Sequence, residues 1–385
     1  MGSPPQSLRA RIAIVGGGII GLSIASVLGE RGYAVTIYDP NGFGRGASWA
    51  AAGMLSPAYE AAGDDVHHPG LLRACFLSKE LWTPWIARLG DAGGGQLGFL
   101  GNGSFALATT EADERRLARM TRQLERAGWP VDFLEKDDLV RWEPGLGGEV
   151  RSGLALTSDG RVDNRAVIAA LLDHLASGPD VRLISEPAPL TLTGDRISVE
   201  GHDVAVIAAG WQSPGLSVLE GQSKRVLQDY IPALGALKAV KGQMLAVDGD
   251  PDRPPRHTLR HGSVYVVPRG DRVIIGATSE DGIEHRRVDG DTIARLRAAA
   301  GRLVPALSER AVRETWAGIR PGSPDHAPLI GPCNVPGVIL ACGHFRNGIL
   351  LSPLTADLVA DCLEPGPEPE LAAAFSPDRF SPAPV

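Results

Sequence analysis

Arg11-Ile-Ala-Ile-Val-Gly-Gly-Gly-Ile-Ile-Gly21 opens a stretch that closes with Ala34-Val-Thr-Ile-Tyr-Asp39, and its reading decides the fold. Arg11–Val15 is a short apolar run of the kind buried in a parallel sheet. Gly16, Gly18 and Gly21 follow at G-x-G-x-x-G spacing. The first permits a tight turn, the second lets backbone approach a pyrophosphate, and the third lets a helix pack close to the strand. Ile19 and Ile20 begin that helix, whose unpaired N–H groups and dipole favour an anion. It runs to about Arg31, with Leu22, Ala25, Ser26 and Leu28 as its inner face and Gly32 as C-cap. Asp39 lies 18 residues beyond Gly21 (39 − 21), a separation that suits a carboxylate on ribose hydroxyls. The glycine triplet alone is weak in a chain with 48 glycines. Strand, turn, helix, strand and acid in register define a dinucleotide site in a Rossmann-type α/β domain.

With 385 residues the chain is long enough for two to three domains. Its 43% apolar and 22% charged residues describe an ordinary globular protein. A net charge of −7 and the lack of any Lys/Arg run argue against nucleic acid as a partner. Four separated cysteines, Cys75, Cys333, Cys342 and Cys362, contain no C-x-x-C and suit a reducing compartment. No apolar run approaches the roughly 20 residues of a membrane span. Residues 1–10 lack the apolar core of a signal peptide, so the expected address is the cytoplasm.

Later in the chain, Asp203-Val-Ala-Val-Ile207 leads into Ala208-Ala-Gly210, and Gly337-Val-Ile-Leu-Ala341 leads into Cys342-Gly343. Each reads as a buried strand delivering a glycine turn. The dinucleotide-binding domain is therefore expected to be discontinuous, from residues 1–60, 146–221 and 316–363. Helical patterns at Leu71–Leu89, Glu111–Ala127 and Asp291–Leu303, with period-2 alternation at Ser263–Pro268 and Arg272–Ala277, fill the intervals. These predict an interleaved α+β domain on an antiparallel sheet, from residues 61–145 and 222–315. Residues 364–385 hold six prolines and read as an extended or loosely docked tail.

The glycine fingerprint does not choose between NAD and FAD. Gly44-Arg-Gly-Ala-Ser48, followed by Trp49-Ala-Ala-Ala-Gly-Met-Leu55, supplies a run of tiny residues against which a flat isoalloxazine ring can lie. With this run the sequence resembles the D-amino acid oxidase superfamily of FAD enzymes, and within it the ThiO-type glycine oxidases. Four segments in family order carry the resemblance: Gly46-Ala-Ser-Trp-Ala-Ala-Ala-Gly-Met-Leu-Ser-Pro57, Tyr265-Val-Val-Pro-Arg269, Arg320-Pro-Gly-Ser-Pro-Asp-His-Ala-Pro-Leu-Ile-Gly331 and Gly343-His-Phe-Arg-Asn-Gly-Ile349. It covers Arg11 to about Arg379. It implies non-covalent FAD, oxidation of a small amine, hydrogen peroxide as product and a homo-oligomer, several relatives being homotetramers.

The resemblance places Gly16, Gly18 and Gly21 at the pyrophosphate and Asp39 at the adenosine ribose. Ser48, Ala51, Ala52, Gly53 and Met54 fall along the flavin, and Pro189 at a strand position whose backbone holds the adenine. Ala209 and Gly210 match a second glycine turn, although Trp211-Gln212 departs from the usual small residue then Trp. Gly343, Arg346, Asn347, Gly348, Ile349 and Leu350 match a turn and helix start at the pyrimidine end of the ring. On the substrate side, Arg320 matches the arginine that clamps a carboxylate with its planar fork. Tyr265 matches a tyrosine donating to the same carboxylate, and Arg346 a second arginine near the site. Ser56, Tyr59, Ser263 and Ser279 fall at variable positions, where a bulky Tyr59 favours a small substrate if it points inward.

Other residues carry less. His67-His68 lack partner ligands for a metal, Cys342 reads as buried filler, and Asp325-His326 as a turn. No G-x-S-x-G elbow supports a hydrolase. The implied chemistry is hydride transfer from the substrate Cα to flavin N5, by orientation and with no side-chain base. The imine can feed thiazole synthesis for thiamine. Glycine leads as substrate, then sarcosine and small D-amino acids, with O2 as acceptor. Two alternatives stay open: an FAD amino acid dehydrogenase passing electrons to a quinone, and a non-catalytic FAD-binding or tRNA-modification accessory protein.

Overall fold

Strands with no polar alternation need cover on both faces, and Arg11–Val15, Val204–Ile207 and Val338–Cys342 find it at the centre of one sheet. The structure, a computed structural model, describes residues 9–62, 68–91, 93–178, 180–252, 254–364 and 367–381. The chain folds as two units. The first comprises the segment up to Ser48, Ile168–Lys238 and the segment from Pro321.

Its six-stranded sheet runs in the order Leu329–Pro332, Val338–Cys342, Val204–Ile207, Arg11–Val15, Ala34–Tyr38, Val181–Ile184. All pairs are parallel except the first. The register sets Val15 beside Ile207 and Tyr38, so Arg11–Val15 and Val204–Ile207 deliver their glycine turns at one edge. The helix Ile19–Glu30 packs on Ser352–Asp361 and is buried from Ile19 through Gly29. The sequence predicts a single inner face, and the structure differs. With Ile19, Ile20, Leu22, Ile24, Val27 and Leu28 spread around it, this helix has no polar side to expose. A smaller sheet of Arg196–Val199, Leu190–Thr193, Ser217–Glu220 and Ser223–Val226 adds Leu190, Ile197, Val199 and Val218 to the core beside Ala13, Val15 and Leu340.

Of the two forms expected for the tail, extended or loosely docked, its described part takes a docked one. Residues Pro369–Ala374 form a helix and Pro377–Phe380 a 3-10 turn, with Phe375 fully buried and its carbonyl accepting from Ile330 N at 2.9 Å. Arg379 clamps Asp325 with N–O distances of 2.8 and 3.3 Å. Proline at the first positions of both turns removes a donor that the turn leaves unpaired anyway. Residues 365–366 and 382–385 of that segment lie outside the described residues.

The second unit, Trp49–Val167 and Ala239–Arg320, is built on a nine-stranded sheet. Eight strands follow the order Glu280–Asp281, Lys238–Asp248, Arg272–Gly276, Val264–Arg269, Thr258–His261, Ser104–Ala108, Ser152–Leu156, Asp132–Glu135, and Val312–Gly322 pairs with Lys238–Asp248. Along that order neighbouring strands are antiparallel save Thr258–His261 with Ser104–Ala108, which is parallel. Those two strands come from chain segments far apart in sequence, so no hairpin dictates their direction.

Period-2 alternation gives the sheet two dressed faces. Val266, Ile275, Leu245 and Val247 pack under the helix Gly290–Leu303 through Ile293, Leu296, Ala300 and Leu303. Tyr265, Val267, Met244, Ala246 and Trp316 face the other way and pack with Ala50 and Ala52. The alternating runs at Ser263–Pro268 and Arg272–Ala277 are the strands that carry this division.

Candidate functional site

The residues that the sequence assigns to a dinucleotide site fall into two groups, one in each unit. In the first, Gly16 has φ +112°, its N–H donates to Tyr38 O at 2.9 Å, and a Cβ there would stand 2.5 Å from Ala208 O. A Cβ on Gly21 would lie 2.0 Å from Gly16 O, so strand, turn and helix are in backbone contact. Gly18 caps the helix with no side-chain hydrogen bond. Ser48 serves instead: its Oγ accepts from Ile19 N at 2.9 Å. The Asp39 carboxylate accepts from Gly17 N at 2.8 Å and Asn41 N at 2.9 Å, which fixes it beside the turn. Gly17 stands outside the G-x-G-x-x-G pattern, yet a Cβ there would meet the Phe43 ring at 2.4 Å. The third consecutive glycine in that run is the signal that sequence reasoning passes over.

Gly210 opens a 3-10 helix over Gly210–Gly215, directly after Ala208 N donates to Val15 O at 2.8 Å. Ala209 is its N-cap. Pro189 does not lie in a strand: it is exposed in the connection before Leu190–Thr193, and without an N–H it extends no ladder. Arg346–Leu350 form turns, and the helix starts only at Ser352, where Pro353 occupies its first turn. Arg346 is exposed, whereas Asn347 is buried with its Oδ1 unpartnered among the described protein atoms. Burial lowers His344 to about 3, leaving a neutral ring against Thr355 Oγ1 at 2.9 Å. Burial raises the Cys342 thiol to about 12, in keeping with a filler. Asp325 shapes its turn by accepting from Ala327 N at 3.1 Å, and His326 takes φ +60° there.

In the second unit, Arg320 and Tyr265 project from the same sheet face. Trp316, Gly318 and Arg320 alternate along one strand, and a Cβ on Gly318 would meet Ala50 Cβ at 2.5 Å. Arg320 lies over Gly242, whose added Cβ would stand 2.4 Å from Nη2, and its Nη1 donates to Thr278 O at 3.1 Å. Tyr265 lies over its register partner Gly276, whose added Cβ would stand 2.4 Å from the phenol oxygen. Sequence reasoning missed both glycines. An isolated glycine inside a strand pattern marks such close approaches and was the signal to read.

The small-residue segment crosses that face as a strap. Gly53 has φ +74° and a Cβ there would clash with Val162 O at 2.0 Å, while Val162 N donates to Gly53 O at 2.8 Å. Ala52 is buried, Ala51 and Met54 are half-buried, and Met54 pairs with Arg161.

Tyr59 points neither to solvent nor away from its neighbours. It is buried, its hydroxyl donates to Gly262 O at 2.9 Å and accepts from Arg116 Nη2 at 2.6 Å, and the Arg260 guanidinium stacks 3.8 Å from its ring centre. Ser56 is buried near it, while Ser263 and Ser279 are exposed. Arg260 also pairs with Glu60. Asp159, fully buried, accepts from Ser104 Oγ at 2.6 Å and Ala58 N at 3.3 Å, and desolvation lifts its carboxyl to about 6. A carboxyl raised above its unfolded value contributes stability below the unfolded pKa and loses it as pH rises through 6. At about 1.4 kcal/mol per pKa unit, stability relative to Asp159→Asn should fall by about 2 kcal/mol between pH 4 and pH 7.5. Denaturant melts of both proteins across that range check this; parallel curves would refute it.

His68 caps the helix Pro69–Arg88 by accepting from Gly70 N at 3.2 Å, and His67 lies outside the described residues. Among the described residues no group of three or more His, Cys, Asp or Glu could hold a metal, and no helix is long and apolar enough to cross a membrane.

A glycine turn on a parallel strand, a helix start without its own cap and an acid fixed beside the turn define a dinucleotide-binding protein. The family described as FAD dependent oxidoreductase matches residues 11–362, and the chain belongs to it. The bifunctional protein ThiO/ThiG of Trichormus variabilis is 34% identical over 96% of this chain, which spans 55% of that protein. The chain thus spans about half the length of the first curated relatives it matches. The glycine oxidase of Geobacillus kaustophilus is 33% identical, covering 92% of this chain and 93% of its own. The crystal structure of glycine oxidase from that organism superposes with a TM-score of 0.82 at 30% identity, covering 96% and 98% of the two chains. FAD is the cofactor of this family. The residues present fit it: Gly16 and Gly21 leave no room for side chains, Gly18 puts none of its own at the helix start, and Asn347 Oδ1 is a buried acceptor in want of a donor.

Proposed function

We propose that the chain is an FAD-dependent glycine oxidase that converts glycine, and also sarcosine and small D-amino acids, to an imine with O2 as acceptor and hydrogen peroxide as product. The observation that carries this reading is Arg320 held over Gly242 by the Thr278 carbonyl, on the sheet face that also presents Tyr265 and the strap. A planar guanidinium suits a carboxylate bidentately, and a phenol supplies a further donor. Gly16, Gly18 and Gly21 would hold the pyrophosphate, Asp39 the ribose, and Ala51 to Met54 the flavin. Bound FAD would supply acceptance of a hydride, two electrons and one proton, from the substrate Cα. The chain's own part is orientation: Arg320 and Tyr265 fix the carboxylate, which sets the direction of the Cα–H bond. No buried His or Glu is needed as a base. The relatives named ThiO/ThiG support delivery of the imine to thiazole synthesis for thiamine.

Anaerobic mixing with glycine tests this by loss of flavin absorbance near ~450 nm. Recovery with peroxide on admitting air supports an oxidase. A yellow protein that no amine bleaches would refute the reading, and bleaching without peroxide would favour a dehydrogenase. Asp39→Ala should weaken FAD binding to the apoprotein about 10- to 100-fold, the loss of one charge-assisted hydrogen-bond acceptor. Titration followed by flavin fluorescence measures it, and an unaltered Kd would take Asp39 off the ribose.

A further inference from the structure

Four strap carbonyls, those of Trp49, Ala50, Ala52 and Gly53, are held from the second unit's own scaffold. Trp316 Nε1 donates to Ala50 O at 2.9 Å. Arg269 Nη2 donates to Ala52 O at 2.7 Å and to Asn164 Oδ1 at 2.7 Å. Asn164 Nδ2 reaches Trp49 O at 3.2 Å, and Arg165 Nε reaches the same oxygen at 3.3 Å. Val162 N donates to Gly53 O at 2.8 Å. The Arg165 guanidinium lies 3.5 Å from the Trp49 ring centre and 5.0 Å from that of Trp316, and both its terminal nitrogens bond Glu314 at 3.0 Å. Trp49 and Trp316 meet edge to face at 6.3 Å.

This is more than burial of an apolar strap requires. Ala50 and Ala52 already pack on Met244, Val267 and Trp316. Arg269 is buried deeply enough that desolvation lowers its pKa, a cost incurred with Asp163 as its ion-pair partner at 3.6 Å. A neutral side chain of similar volume would fill the space at less cost. What the cation adds is a donor aimed at one particular carbonyl.

We propose that Trp316, Arg269 and the Arg165–Glu314 pair are positioning residues that hold the backbone carbonyls of the Trp49–Gly53 strap on the sheet, fixing the height at which the strap meets the flavin. The inference rests on the reading that this strap lies against FAD. The strap's small side chains make it compliant by themselves: a peptide of three alanines and a glycine has little side-chain packing to fix its height.

Trp316→Phe keeps most of the ring and removes the N–H; Arg269→Lys keeps the charge and removes the fork. Apoprotein of each is titrated with FAD, and the holoprotein is read for its visible flavin spectrum, flavin midpoint potential and thermal midpoint. Expected are about tenfold weaker FAD binding in Trp316→Phe, the loss of one net hydrogen bond, a displaced flavin absorption band, and a change in kcat with KM for glycine near the wild-type value. Ala51→Leu, which places bulk on the half-buried strap residue, tests the underlying reading separately. If Ala51→Leu perturbs the flavin while both anchor variants keep wild-type affinity, spectrum and potential, the strap contact stands and the positioning role is overturned. If Ala51→Leu leaves the flavin untouched, the contact fails and the proposal with it. A lowered thermal midpoint with an unchanged flavin signature would make the anchors merely structural and equally overturns it.

Discussion

Arg320→Ala should lower kcat/KM for glycine by about 10²- to 10⁴-fold while leaving a yellow holoprotein, because a desolvated carboxylate would lose its bidentate partner at a cost of about 3–5 kcal/mol. The geometry supports a loss at the upper end. Arg320 lies over Gly242, which supplies no side chain to fill the space, and Thr278 O, which now accepts from Nη1, would repel a carboxylate. Arg320→Lys should recover only part of the rate, since an ammonium offers a point charge in place of a fork. An amine without a carboxylate separates the explanations: its slow turnover should be the same in wild type and variant. Equal kinetics with glycine would remove Arg320 from the site, and equal losses with both amines would mean that the flavin had been disturbed instead.

The parts of this site legible in sequence are those that backbone makes. A turn too tight for a Cβ writes glycines at fixed spacing, so Gly16, Gly18 and Gly21 are readable without knowing what they touch, and Asp39 follows from the strand after them. Parts made by distant side chains leave no such mark. Arg165, Arg269 and Trp316 lie more than 100 residues from the carbonyls they hold, and each reads as an ordinary surface or core residue. Where Tyr59 points is not legible until Arg116 and Arg260 are placed against its ring. Resemblance assigns Pro189 to a strand and Arg346–Leu350 to a helix start, where proline at 189 and at 353 shifts both. The period of the helix Ile19–Glu30 suggests one inner face, although its composition, apolar on all sides, already implies burial all round. Gly242 and Gly276 are readable, since a strand tolerates an unpacked glycine poorly unless something lies on it.

Gly21→Ala carries the largest structural consequence in the glycine turn. At an ordinary helical position this exchange stabilises by up to about 1 kcal/mol, since alanine is the better helix former. Here the added Cβ would stand 2.0 Å from Gly16 O and 3.2 Å from Ile14 Cγ2. The nearer atom is backbone, in a turn with no slack: a Cβ on Gly16 itself would lie 2.5 Å from Ala208 O. Relief requires either lifting the helix off the strand, which exposes Ile14, Leu22 and Ala25, all fully buried, or rotating the turn and with it the N–H groups at the helix start. Either route should cost more than about 4 kcal/mol, a large share of the roughly 5–15 kcal/mol that holds a domain folded. Expected is a protein that refolds poorly, melts well below wild type and retains no yellow flavin once excess FAD is removed by gel filtration. Gly290→Ala is the control, because a Cβ at that helix start meets nothing within 4 Å and should be neutral or slightly stabilising. A Gly21→Ala protein that binds FAD and melts like wild type would show that the turn yields, and would separate the glycine spacing from the cofactor contact it is taken to serve.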